Sequence, residues 1–147
     1  MFYPDISAED NFCMTRKEAR EQAFVFLFER LFSPELSYDE LSALAAQCRF
    51  FEPNDYTRVL FEKTVGNIEN ADGVINRLSR GWKAARLPRV TLCLLRMAIT
   101  EISLIDETPD SVAANEAVEL AKTYATADDA QFINGILGSV IREKTSA

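Results

Sequence analysis

The sequence contains no histidine. That removes the side chain most often used as a general base near neutral pH, and the commonest metal ligand. No Cys-x-x-Cys pair is present to hold zinc, and no glycine-rich phosphate loop precedes a lysine. Glycine and proline are scarce, five of each in 147 residues, which excludes a low-complexity or disordered chain. No apolar run approaches the roughly 18 residues of a membrane span; the longest, Ala23 to Phe28, stops at Glu29. The first residues lack the basic, apolar and small-residue sequence of a secretory signal. Cys13, Cys48 and Cys93 are odd in number and far apart, which points to a reducing compartment, with Cys93 in Leu92-Cys-Leu-Leu95 reading as a core residue. Paired acids such as Glu116 and Glu119 occur beside Ala and Leu at helical spacing, the pattern of a wet helix face rather than of a catalytic pair. The expectation is a cytoplasmic, non-enzymatic protein without metal, cofactor or membrane association.

What is present is helical. With 48% apolar and 27% charged residues, the chain has the composition of one globular domain that buries a core without disulfides. Thr15 with Glu18 forms a capping box that starts a helix running to about Phe32, and Ser37 with Glu40 forms another, followed by Leu41, Leu44, Ala45 and Cys48. After Pro53-Asn54 a long helical pattern carries Tyr56, Val59, Leu60, Thr64 and Ile68, bends near Gly66 or Asn70, and resumes with Val74, Ile75 and Leu78. Gly81 punctuates it, and Leu87-Pro88 opens a strongly apolar helix through Ile105. Thr108-Pro109-Asp110 supplies a cap, a proline at the first helical position and an early acid for the next helix. Thr126 with Asp129 then starts the last one. No stretch alternates with period two, so no sheet is expected. The fold class is therefore all-α, a compact bundle of about six to seven helices in two sub-bundles, hinged near residue 81. Met1 to Cys13 has no periodic pattern and reads as a poorly ordered extension of a domain spanning 14–147.

The net charge of −7 argues against a general nucleic-acid coat protein. Its distribution is more telling. Residues 77–96 carry Arg77, Arg80, Lys83, Arg86, Arg89 and Arg96 and no acid, whereas residues 101–129 carry eight acids against the single Lys122. Such polarity suits a basic patch for RNA and an acidic one for a basic protein, or simply two solvated faces. Arg16, Lys17 and Arg20 stand in the first turns of a helix, where positive charge opposes the helix dipole at a cost of about 0.3–1 kcal/mol each. They are either held for a phosphate backbone or neutralised locally by Glu18 and Glu21. Phe132 at the start of the last helix either folds inward or stays out as a stacking platform. Trp82 reads as core, with Arg86 four residues on placed either to stack on it or to clamp the two halves together. A glutamate at 116 facing the helix that bears Arg96 would make a buried ion pair.

Four motifs in order carry a resemblance. Arg16-Lys-Glu-Ala-Arg20 with Ala23 and Leu27 comes first, then Trp82 with Arg86, then Leu94-Leu-Arg-Met-Ala98 with Glu101-Ile102. Last come Asn115-Glu-Ala-Val-Glu-Leu-Ala-Lys-Thr-Tyr124 and Phe132-Ile-Asn-Gly-Ile-Leu137. Over roughly residues 14–143 the chain resembles the bacterial NusB family of transcription antitermination factors. The resemblance implies binding to the boxA element of rRNA leader transcripts, together with a small-subunit ribosomal protein, NusE, in the antitermination complex of RNA polymerase. It implies RNA contacts by Arg16, Lys17 and Arg20 and a base stack on Phe132, with Lys122, Gln131 and Asn134 close enough in sequence to help. Gln131 stands where a basic residue would aid a phosphate contact. Phe28 and Thr91 stand where some relatives carry a tyrosine and an acid that touch the ribosomal protein, so either neighbours such as Glu29, Arg86 or Arg89 make the contact or the affinity is lower. Some family members self-associate, so a homodimer is among the expected states.

Two rivals remain open. The same fold occurs at the N-terminus of some rRNA cytosine methyltransferases, although nothing in these 147 residues has the βαβ pattern of a methyl-donor site. The other is a helical protein-interaction module that has lost RNA binding, favoured by the acidic balance, by Gln131, and by Glu18 and Glu21 among the arginines.

Overall fold

Helix α5, Arg89–Leu104, is apolar on nearly every side, and eleven of its residues are buried, among them Leu94, Leu95, Met97, Ile99 and Ile102. A helix of that kind has to lie at the centre of a bundle. Each of those large side chains contributes about 1.5–3 kcal/mol relative to exposure. The computed structural model describes residues 15–48 and 54–146, so the poorly ordered extension expected at 1–13 lies outside the described residues. Around α5 pack α1 (Arg16–Phe32), α3 (Asp55–Val65), α4 (Ile68–Leu78), α6 (Asp110–Tyr124) and α7 (Ala127–Ser146), while α2 (Tyr38–Cys48) rests on α3. The expected all-α bundle forms, with seven helices and no strand among the described residues.

Local chemistry sets the helix ends. The Thr15–Glu18 and Ser37–Glu40 capping boxes close in both directions. The amide of Asp129 donates to the Thr126 hydroxyl and the Thr126 amide to the Asp129 carboxylate, starting α7 in the same way. Asn54 caps α3 by accepting from the amides of Tyr56 and Thr57. The break in the long middle pattern falls at Gly66-Asn67, where the Asn67 side chain donates to Thr100 on α5 at 3.1 Å.

Two groups of helices share α5. One comprises α1, α2 and α3, the other α4, α6 and α7. They part at Gly66-Asn67, not near residue 81 as the glycine there suggests. Gly81, at φ +81°, instead turns the chain out of α4 toward a short 3-10 turn, Ala84–Arg86, that leads into α5. Asn76 accepts from the Ala84 amide at 2.7 Å and Ser79 donates to the Trp82 carbonyl at 2.8 Å, so that turn is pinned to the end of α4.

Candidate nucleic-acid interface

The capping box at Thr15 and Glu18 fixes the start of α1 and leaves Arg16 and Lys17 exposed on it. The Arg16 guanidinium lies 3.8 Å from the centre of the Tyr56 ring on α3, stacked as a cation over an aromatic face. Lys17 reaches Glu116 on α6 at 3.5 Å, an open surface pair worth well under about 1 kcal/mol.

Arg20 departs from expectation. It is 2% exposed, and its guanidinium donates to both oxygens of the fully buried Glu101 on α5, Nε to Oε1 at 2.9 Å and Nη2 to Oε2 at 2.7 Å. Tyr56 also donates its hydroxyl to Glu101, and shares a 3.0 Å hydrogen bond with Thr108. Burial opposes the charge on Arg20, yet its bonds to Glu101 outweigh that and raise its pKa above the ordinary arginine value. Burial and then the bond to Glu101 push the Tyr56 phenol up, so it stays protonated and donates. Arg20 is therefore an internal strut between α1 and α5, and the expected RNA contact at this position is withdrawn. The same network corrects a second expectation, because the Thr108 hydroxyl is turned to Tyr56 and makes no cap for α6, which begins after Pro109 without a side-chain cap.

A second cluster stands at the turn between α6 and α7. Gln131 and Asn134, three residues apart, share an exposed face of α7, and Lys122 is exposed on α6, bonded to Glu119 at 3.1 Å. Phe132 is half-buried, packed against the core on one side and lining a cleft of about 340 Å³ on the other, with Trp82, Arg86, Leu87, Pro88 and Asp128. The two expectations for this ring, core and platform, thus describe its two sides. Trp82, expected in the core, is 54% exposed at the mouth of that cleft.

Side chains of α1 and α6 meet at two places. Lys17 meets Glu116, and further along Tyr124 donates to Glu21 at 2.5 Å and packs its ring 5.1 Å from that of Phe24. The two helices therefore run in the same direction. Arg16 and Lys17 mark the start of α1, while the cleft of Phe132 sits near its end, where Arg89 of α5 lies over Phe32 at 5.0 Å. The clusters do not touch, and about 24 Å of helix axis separates the ends of α1. Acids stand between them, so the surface is mixed rather than uniformly basic. The expected pairing of Glu116 with Arg96 does not form, since Arg96 instead makes a two-pronged 2.8 Å pair with Asp72 on α4.

Phe28 lies between Phe24 and Phe32, with ring centres 6.2 and 5.3 Å apart, in an aromatic ridge along α1. Arg86 is exposed nearby. Thr91 is fully buried where it borders the cleft of Phe132, and its hydroxyl has no hydrogen-bond partner among the described residues, so its side chain is not exposed as the contact expected of it requires. Sequence reasoning overlooked Phe32, 58% exposed at the end of the ridge, although its spacing from Phe24 and Phe28 was visible. Among the described residues no helix is long and apolar enough to cross a membrane.

Comparison with known proteins adds four findings. The family model described as the NusB family matches residues 17–142. The transcription antitermination protein NusB of Symbiobacterium thermophilum is 39% identical over 142 residues, covering 88% of this chain and 90% of the relative. Among solved structures, T. maritima NusB superposes with a TM-score of 0.79 at 26% identity, over 90% of this chain and 94% of that one. A structure of antitermination factors NusB and NusE in complex with dsRNA shares the fold at a TM-score of 0.76 and 23% identity, over 87% of this chain and 96% of that one.

Proposed function

The chain belongs to the NusB family, and from that premise we propose that it is a transcription antitermination factor that binds boxA RNA of rRNA leader transcripts. The observation that carries this reading is the family match across residues 17–142. The site reading rests on two exposed cations at the capped start of α1, Arg16, stacked by one face on Tyr56, and Lys17, in an open surface pair with Glu116. RNA would meet these first, and Lys122, Gln131, Asn134 and the outer side of Phe132 further along, through backbone contacts and a base stack worth about 1–3 kcal/mol. Arg20 acts from inside, by fixing α1 to α5.

The partner is the ribosomal protein NusE, which a relative of the same fold accompanies in complex with dsRNA. The aromatic ridge of Phe28 and Phe32, with Arg86 and Arg89 beside it, is the surface proposed for it. The pair then joins the cytoplasmic antitermination complex of RNA polymerase and supports read-through. The protein performs no catalytic step; its effect is assembly. If NusE raises the affinity for RNA, RNA raises the affinity for NusE by the same factor. Association of two copies through α1 would hide Arg16 and Lys17 and compete with RNA.

The withdrawal of Arg20 and the carboxylate of Glu116 beside Lys17 favour the rival reading of a protein-interaction module without RNA binding. Fluorescence anisotropy of labelled boxA RNA and a scrambled control, with and without NusE, separates the two. Preferential binding strengthened by NusE is expected. Equal weak binding to both RNAs, unmoved by NusE, rejects the antitermination reading.

A further inference from the structure

We infer that Tyr56 is a positioning residue for RNA binding, holding the Arg16 guanidinium in the orientation in which it meets a phosphate. The inference rests on the reading of Arg16 as an RNA contact. Arg16 is the first residue of α1, where the capping box of Thr15 and Glu18 already supplies what the helix start requires. A cation there is disfavoured by the helix dipole and, on a long flexible stem, has no fixed direction. The Tyr56 ring, 3.8 Å from the guanidinium, supplies both a compensating attraction and a direction.

The geometry leaves the useful part of Arg16 open. All five N–H donors of a guanidinium lie in its plane, so a ring covering one face leaves the donor edge free for an anion. An open groove of about 280 Å³ lies beside it, with Arg16 and Lys63 as its cations, Asp55 and Glu107 as its acids, and Tyr56 and Val59 in its wall, so the groove is of mixed charge and a phosphate is held at its Arg16 side. The ring is itself fixed. Its hydroxyl donates to Glu101 and pairs with Thr108, and Glu101 is clamped by Arg20 at 2.7 Å. Donation to a carboxylate leaves the ring richer in electrons and a better seat for a cation. The buried strut and the surface cation thus form one chain, Arg20 to Glu101 to Tyr56 to Arg16. A group already oriented loses less freedom when RNA binds.

A double-mutant cycle on the full chain with labelled boxA RNA tests this. Tyr56→Leu is expected to weaken binding about two- to five-fold, the size of an exposed cation–aromatic contact. It should add nothing in an Arg16→Ala background. Tyr56→Phe keeps the ring but loses the bonds that fix it, and should therefore weaken binding less than Tyr56→Leu does. Arg16→Lys, which threatens no fold, keeps the charge but loses the plane. It should cost the same two- to five-fold with the salt dependence unchanged. If Arg16→Ala leaves RNA affinity untouched, the RNA site itself is misplaced. If Arg16→Ala weakens binding while Arg16→Lys equals the parent, or while the Tyr56→Leu and Arg16→Ala losses multiply, the site stands and the positioning role of Tyr56 is overturned.

Discussion

Arg20 and Glu101, 81 residues apart in the chain, are locked by two parallel hydrogen bonds that tie the first turns of α1 to the last turn of α5. Both side chains are out of water, at 2% and 0% exposure. Removing one partner from such a pair strands a buried charge and costs about 3–5 kcal/mol, whereas replacing both by apolar groups of similar volume is close to neutral. Arg20→Ala and Glu101→Ala are therefore expected to lower the urea midpoint strongly, and the double variant Arg20→Met with Glu101→Leu to recover most of the loss. Single variants costing under about 1 kcal/mol would show that the pair is not buried in solution.

Thr91 gives the opposite sign. Its buried hydroxyl lacks a partner among the described residues. An unsatisfied buried polar group costs about 1–3 kcal/mol, and valine has the same shape without it. Thr91→Val is expected to raise the thermal midpoint and to leave NusE binding unchanged. A lowered midpoint would mean that the hydroxyl is satisfied in solution.

Glu116→Gln should separate stability from binding. The pair with Lys17 is long and open, at 66% and 24% exposure, so its loss should change stability by less than about 0.5 kcal/mol. RNA affinity should rise at low salt, because a carboxylate beside Lys17 is gone, and the gain should shrink as salt screens it. Anisotropy at two salt concentrations reads both effects; unchanged affinity at low salt would place the RNA away from Lys17.

Tyr124 carries a pH signature. The hydrogen bond to Glu21, then burial and the charge of Glu21, push its phenol up to about 12 from an ordinary 10.0. The folded pKa lies above the unfolded one, so the stabilisation is complete below pH 10 and is lost as pH rises through about 12. In the difference between the ultraviolet titrations of the parent and Tyr124→Phe, the missing phenol should ionise near 12. Ionisation near 10, the ordinary value, would mean that the bond to Glu21 is not made.

Three helix starts were legible because capping is local, whereas that of α6 was not, since Thr108 is drawn away to Tyr56. Thr15, Ser37 and Thr126 each stand three residues before the acid that answers them, and each box closes. The charged interior was legible only in part. Arg20 sits three, four and seven residues before the buried Ala23, Phe24 and Leu27, and Glu101 is the lone acid among the apolar positions of α5. Both signals say that a charge lies on an apolar stripe, but not which charges pair, since that depends on how two distant helices cross. The same limit separates the expected pairing of Arg96 with Glu116 from its actual pairing with Asp72. Tyr56 showed no more than a core spacing; its role follows from Arg16 meeting it across helices. Trp82 misled because aromatic bulk favours the core, whereas here it belongs to a turn pinned by Asn76 and Ser79 that leaves the indole outside.

The central claim is that RNA meets the start of α1. The most direct measurement is the salt dependence of boxA affinity for Arg16→Ala/Lys17→Ala against the parent, with circular dichroism to confirm the fold. Each phosphate contact to a single strand contributes about 0.7 to the slope of log affinity against log salt. Loss of two contacts should therefore lower affinity and reduce that slope by about 1.4. A folded double variant that keeps both the affinity and the slope of the parent would contradict the account.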